Sequence, residues 1–449
     1  MKKRLFRRIF SLILVLIAAI SLVGCSLTET KTQVTSSSNV YEEAVKNGYT
    51  GSLDEWLLSL IQESGYKNVY DLAVENKLFT GTLSEFIASL KGEAGSTSIE
   101  ETASYSLLST VSIYATFTEK TTSGGPWGGT TTKDATSAGS GIIYSLDSDG
   151  TAYIVTNYHV IYDAKATSPI STNISVFLYG MEYEMYEISA TYLGGTMTYD
   201  IAVLKIQSDY LSSSSGNAYH AVTINTEVPT AGDSIIAIGN PEAEGLSVTS
   251  GIVSVPTESI SMTAADDSTK ITSRVIRFDA AVNAGNSGGG LYNQNGELIG
   301  IVNAKTVDSS IEGMCYAIPI SVASSIANNI IKNCNGNTTK TIRKVYLGIN
   351  VDVASSKAVY DATTKKSSIV QSIKVASVDS DGAAYNTLNV DDVIVGITYN
   401  GNYTAVTSLY TVQDVLLQAS KNESVSLYIL RDGSYKTVSL EFTSDSAVA

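Results

Sequence analysis

Hydrophobic positions change their spacing several times along the chain, and each change marks a segment. An apolar stretch interrupted only by Ser11 and Ser21 runs from Ile9 to Val23, after a basic start at Lys2, Lys3, Arg4, Arg7 and Arg8. A charged region followed by a short apolar region is the pattern of an export signal, over residues 1–24. Residues 25–40 are mostly Ser, Thr and other polar types and read as a flexible tether. Residues 41–92 hold an internal repeat. Tyr41, Ala44, Val45 and Asn47 recur as Tyr70, Ala73, Val74 and Asn76, and Tyr49-Thr50-Gly51-Ser52-Leu53 recurs as Phe79-Thr80-Gly81-Thr82-Leu83. In each copy a hydroxyl residue precedes a glutamate by three places, Ser52/Glu55 and Thr82/Glu85, which is the spacing of a capping box. The stripes Trp56, Leu57, Leu60 and Phe86, Ile87, Leu90 follow at helical period. The segment therefore predicts two short helical modules, with spacing or docking as their role.

Residues 92–103 are polar and read as a second linker. From there the texture is short β-rich runs broken by Gly, Asn, Asp and Ser: Ile142-Ile143-Tyr144, Ala152 to Thr156, Ile201 to Ile206, Ile235 to Ile238, Leu298 to Val302. Many short strands with such turns predict an all-β sandwich or a pair of barrels. The Gly/Thr-rich stretch 119–138 reads as a mobile surface loop between strands. Residues 322–334 read as a helix closing this domain, at 104–335. Strands resume at Val345, with one helical pattern at Thr411–Ala419, giving a last domain at 344–445. Asp147-Ser148-Asp149-Gly150 and Asp379-Ser380-Asp381-Gly382 lack the remaining ligands of an EF-hand loop and read as tight turns.

Composition narrows the function. Hydrophobic residues make up 43% of the 449, enough for large cores. The export segment holds five bases and no acid, which leaves 24 bases against 44 acids in the remainder. So acidic a chain repels phosphate backbones, and nucleic-acid binding is disfavoured. Its cysteines are Cys25, Cys315 and Cys334 and its histidines His159 and His220, too few for a zinc site of ordinary spacing. No cofactor is called for. Cys315 and Cys334 read more readily as separate buried thiols than as a pair, although an oxidising exterior would allow the pair.

The most informative stretch is Gly285-Asn286-Ser287-Gly288-Gly289. A serine nucleophile needs a turn with free backbone N–H groups nearby to hold an oxyanion, and glycines permit that backbone. Alone, the pentapeptide reads equally as a Gly-rich hairpin. A base and an orienting acid decide between the two. His159 follows the strand Ala152–Val155 closely and is the candidate base, whereas His220, after the Ser-rich run 212–215, looks like an exposed bystander. Asp200 directly precedes the apolar run 201–206; it is a turn residue by itself and an imidazole-orienting acid in this company.

The order His159, Asp200, Ser287 matches the chymotrypsin-type triad. With Thr156–Val160, Ile238-Gly239-Asn240-Pro241, Thr249–Val253, Asp279–Gly289 and Tyr316–Pro319, the chain closely resembles the HtrA (DegP-like) serine proteases over residues 104–445. The resemblance implies a mainly β, chymotrypsin-like double β-barrel. It makes Ser287 the nucleophile, His159 the base and Asp200 its orienter, with the backbone N–H groups of Gly285 and Ser287 as oxyanion hole. It implies ATP-independent cleavage of unfolded or damaged exported proteins, and a homotrimer as the usual assembly. Two departures stand out. Gly290 replaces the family's Pro or Ala, which should loosen the turn, and Ala280-Ala281-Val282 lacks an acid for a basic P1 residue, which favours small apolar P1 side chains.

Tyr346-Leu347-Gly348-Ile349 resembles the carboxylate-binding loop of PDZ domains, with Leu347, Gly348 and Ile349 as peptide-binding residues. Asp391 stands where that family has glycine, and Asp tolerates a left-handed turn. Leu22-Val23-Gly24-Cys25 resembles a lipoprotein lipobox, which implies lipidation of Cys25 and anchoring on the outer face of the cell membrane. An ordinary signal peptide or an uncleaved anchor is the plainer alternative. For the whole chain the rival reading is a non-catalytic, PDZ-based peptide-binding or chaperone-like surface protein.

Overall fold

The structure, a computed structural model, describes residues 98–122, 130–304, 313–337 and 340–448. The export segment, Cys25, the tether and both helical repeats lie outside the described residues. Helix α1 (Ile99–Leu107) comes first, entered through Ser98, whose hydroxyl accepts from Glu101 N–H while Glu101 caps the Ser98 N–H. The linker expected at 92–103 is therefore helical from residue 99. A Ser-x-x-Glu box at this point is the signal that polar composition concealed. Thr102 of α1 donates to Gln294 O, and His220 stacks on Tyr105 at 3.9 Å between ring centres. His220 is thus half-buried and holds this helix, correcting its reading as an exposed bystander.

Two closed barrels follow. The first joins β1 (Thr110–Thr122), β2 (Thr130–Leu146), β3 (Thr151–Thr156), β4 (Asn173–Leu178), β5 (Ile188–Thr196) and β6 (Ile201–Gln207), in the order β1-β2-β3-β6-β5-β4. The second joins β7 (Ser234–Gly239), β8 (Ser247–Thr263), β9 (Lys270–Phe278), β10 (Gly290–Asn293), β11 (Leu298–Val302) and β12 (Cys315–Pro319), in the order β10-β11-β12-β9-β8-β7. Residues 119–122 and 130–138 are strand and not a loop: β1 and β2 pair in register from Thr110↔Ile142 out to Thr122↔Thr130. Thr, the commonest residue of this ribbon, favours extended backbone without any apolar alternation to announce it.

β6 explains its own unbroken apolar run. Ala202, Leu204 and Ile206 pack in the first barrel's core, while Ile201 and Val203 join a second cluster with Ile326 and Ile330 of helix α2 (Ile320–Cys334). A strand buried on both faces cannot alternate. Cys315 and Cys334 are free and buried in separate clusters.

The C-terminal module is held at its base by β13 (Ile342–Val345) paired with β20 (Asp445–Val448). Above this lies a sheet in the order β14-β15-β16-β18-β19, formed by β14 (Ile349–Asp361), β15 (Lys366–Val378), β16 (Val393–Tyr399), β18 (Ser424–Arg431) and β19 (Ser434–Glu441). Strand β17 (Asn402–Ala405) pairs with β16, and helix α3 (Thr411–Leu416) is shorter than the expected 411–419. The Asp147 and Asp379 segments close as turns through Gly150 N–H to Asp147 O and Gly382 N–H to Asp379 O. Asp391 has φ 70° and pairs with Lys374, as a left-handed turn there requires.

The module's buried ion pair gives a stability test. Asp392 is fully buried and takes two 2.6 Å bonds from Arg431, plus the Asn389 N–H. Burial pushes its carboxyl up, but Arg431 and the Asn389 amide outweigh that and hold it below the usual carboxylate range. Its stabilisation is therefore complete above that range and is lost as pH falls through the lowered value. Arg431→Met should cost about 3 kcal/mol at neutral pH by leaving the carboxylate unpaired. Thermal unfolding across pH should show the gap from wild type narrowing in acid; a constant gap would contradict the pairing.

Candidate active site

His159 sits on a single 3₁₀ turn, Tyr158–Val160, directly after β3. Asp200 sits in the turn between β5 and β6 at φ 53°, a left-handed conformation that Asp adopts more readily than most residues. The two turns are stitched together through the backbone. Asp200 O accepts from the Asn157 amide at 2.9 Å and from Tyr158 N–H at 3.2 Å. The carboxylate then takes His159 N–H on Oδ1 at 2.9 Å, and faces His159 Nδ1 with Oδ2 at 2.7 Å. An ionised carboxylate only accepts, so Nδ1 carries the proton and Nε2 is left as the basic nitrogen.

Asp200 is 3% exposed, and its Oδ2 also accepts from the Asn303 amide at 2.8 Å. Asn303 follows β11, so this bond crosses from the second barrel to the first. Its neighbour Ala304 donates its N–H to Ser287 Oγ at 3.1 Å. Two consecutive residues thus touch the acid and the serine, and bring Ser287 beside the His–Asp pair. Among the described residues Ser287 Oγ makes no hydrogen bond to His159. The structure therefore joins two of the three predicted residues directly and the third through residues 303–304.

The serine turn is pressed onto the first barrel. Gly285 and Gly288 have φ of 96° and 85°, and a Cβ on Gly288 would lie 2.2 Å from Ser140 O. Only glycine fits this approach. Ser140, fully buried, donates its hydroxyl to Gly285 O at 2.8 Å and its N–H to Ser287 O at 2.8 Å. Thr156, three residues before His159, in turn binds Ser140 O at 2.7 Å. Neither Gly285 N–H nor Ser287 N–H has an acceptor among the described residues, so both remain as donors.

Gly290 does not loosen the turn, as its departure from Pro or Ala suggested. It opens β10 inside a strand, and a Cβ there would meet the Tyr292 ring at 2.3 Å. Tyr292 is fully buried, bonded to Thr110 Oγ1, and burial pushes its phenol up to about 12. The large ring and the missing side chain are one packing solution.

Sequence reasoning missed Asn303 and Ser140. Asn303 is a polar residue immediately after an apolar strand, and Ser140 lies between Gly139 and Gly141. Those glycines were the available signal, since a Cβ on either would strike Val160 or Ile154 within 2.6 Å.

Residues 139–301, which contain His159, Asp200 and Ser287, match the trypsin-like peptidase domain. The serine protease Do-like HtrA of Lactococcus lactis subsp. cremoris is 32% identical over 321 residues, covering 69% of this chain and 72% of its own. That of Bacillus subtilis is 30% identical over 308 residues, 67% of this chain and 62% of its own. A structure of the HtrA-type protease AlgW with decapeptide aligns over 78% of this chain at 25% identity and a TM-score of 0.46. With its paired barrels and its match over more than two thirds of a curated relative, this chain belongs to the HtrA-type serine proteases, which are serine endopeptidases.

Proposed function

We propose that Ser287, His159 and Asp200 carry out the proteolysis, with Gly285 and Ser287 N–H as the oxyanion hole. The observation that supports this most is the buried Asp200 carboxylate, bonded to His159 Nδ1 and to Asn303 at once. His159 Nε2 takes the Ser287 proton as Oγ bonds to the scissile carbonyl carbon. The carbonyl oxygen becomes an anion facing the two amides. Collapse expels the amine, which receives the proton from His159, and water then hydrolyses the acyl-enzyme by the same route. The buried Ala280 and Val282 are apolar, and the carboxylate of neighbouring Asp279 is engaged by Ile252 N–H, which favours a small apolar P1 side chain.

The missing Ser287–His159 bond favours a second reading, an idle protease fold that serves as a peptide-binding or chaperone-like protein. Catalytic bonds commonly tighten only when substrate binds, so the first reading is retained. Casein cleavage separates the two. Ser287→Ala should abolish it and His159→Ala should lose a comparable factor, because triad members act as a unit. Full cleavage by Ser287→Ala would reject the assignment.

The substrates we propose are unfolded or damaged exported proteins, cleaved without ATP by a homotrimer held to the membrane through a lipid on Cys25. A mass for the mature N-terminal peptide that shows unmodified Cys25 would reject the anchor. We assign the C-terminal module to peptide C-terminus recognition of the PDZ type. The carbonyls of Leu347 and Gly348 are used internally, by Ala384 and Asp379 N–H, while their own N–H groups have no acceptor among the described residues. Gly348 has φ 74° and lies against Gly382, and Ile349 begins the edge strand β14. Val412 and Leu416 of α3 share a core with Leu347, as a groove wall would, with Val415 packed against it. An apolar peptide with a free C-terminus should bind in calorimetry and its amide should not, because amidation removes the recognised charge. Equal binding would overturn the loop assignment.

A further inference from the structure

The turn between β7 and β8 lies directly under the glycine whose N–H is assigned to the oxyanion hole. A Cβ on Gly285 would sit 2.1 Å from Asn240 O. Within the turn, Glu242 N–H donates to Ala284 O at 2.8 Å. The Ala284–Gly285 peptide is planar and trans, so its C=O and N–H point in opposite directions. Holding the carbonyl toward the turn therefore aims Gly285 N–H away from it. Were that peptide to rotate, the donor would be lost while Ser287, His159 and Asp200 kept their places.

This turn is not a relaxed one. Glu242, Ala243 and Gly245 have φ of 54°, 62° and 106°. For Glu and Ala the left-handed region is unfavourable, so the conformation needs an outside hold. Several holds are present, among them Asn240 N–H to Ser140 Oγ at 2.8 Å and the backbone bonds Ala243 N–H to Asn240 O and Glu244 N–H to Pro241 O. Inside the turn, Asn240 Oδ1 accepts from Gly245 N–H at 2.8 Å. From the first barrel, the phenol of Tyr114 on β1 accepts from Asn240 Nδ2 and donates to Ala243 O, each at 3.3 Å. The Tyr114 ring meets Phe177 edge-on at 5.7 Å, which fixes its direction.

We infer that Tyr114 is a positioning residue for proteolysis: through Asn240 and Ala243 it holds the strained 240–245 turn whose Glu242 N–H orients the Gly285 oxyanion donor. The inference rests on the reading of Gly285 N–H as part of the oxyanion hole. Tyr114 touches neither Ser287 nor His159 by hydrogen bond, so its effect falls on stabilisation of the tetrahedral state and not on the nucleophile.

The test is Tyr114→Phe, which removes only the hydroxyl, in full-length protein with active sites titrated by a fluorophosphonate. For a peptide amide substrate, kcat should fall about five- to tenfold with KM little changed, the size expected for weakening one oxyanion donor through a neighbour. A peptide aldehyde, whose adduct with Ser287 carries the oxyanion, should weaken by the same factor. Uncleaved substrate should bind Ser287→Ala and Ser287→Ala/Tyr114→Phe equally. The ratio of aldehyde to substrate affinity reads only folded protein, so partial unfolding cannot imitate the result. Unchanged aldehyde affinity, or an equal loss for aldehyde and substrate, would overturn the inference. If Ser287→Ala kept full activity, the underlying site assignment would fail; if it were inactive and Tyr114→Phe fully active, only the role of Tyr114 would fail.

Discussion

The site depends on one buried carboxylate. Asp200 is almost fully removed from water, and a charge in that position is costly unless every lone pair is met. Its donors come from both halves of the protease: the His159 backbone and ring from the first barrel, and the Asn303 amide from the second. Satisfying Asp200 therefore requires both barrels to be folded and in contact. The same requirement fixes the imidazole in the tautomer that leaves Nε2 basic. Geometry needed for chemistry and geometry needed to bury a charge coincide.

The serine turn is subject to a second constraint, close backbone approach. Ser140 holds Gly285 O and Ser287 O, the 240–245 turn holds Ala284 O, and Gly289 N–H holds Asn286 O, so the four carbonyls from 284 to 287 are all engaged. What remains outward are the N–H groups of Gly285 and Ser287. The proposed oxyanion hole would follow from using up these carbonyls elsewhere, and the glycines are there because no Cβ would fit between the layers.

Much of this was legible in the sequence because the signals were local. The runs 152–156, 201–206, 235–238 and 298–302 became β3, β6, β7 and β11, since short β-branched runs between turn residues have few alternatives. His159 and Asp200 were readable for the same reason, each at the end or start of such a run, and Ser287 through the glycines around it. Polar regular structure was not legible. The β1–β2 ribbon and the start of α1 carry little apolar periodicity, and their pairing or capping partners decide their form. Asn303, Ser140 and Tyr114 escaped notice because their importance lies in partners 103, 145 and 126 residues away, in Asp200, Gly285 and Asn240. Only the glycines on either side of Ser140 hint locally at such a contact.

An activated serine differs from an ordinary one in reactivity, and that difference can be located by mass. Treating the folded protein with a fluorophosphonate and mapping the adduct by peptide mass spectrometry examines the site without any choice of substrate. The account predicts a single phosphonylated residue, Ser287, with labelling lost when the protein is unfolded before treatment. An unlabelled protein, or an adduct on another serine, would contradict the assignment of Ser287 as the nucleophile.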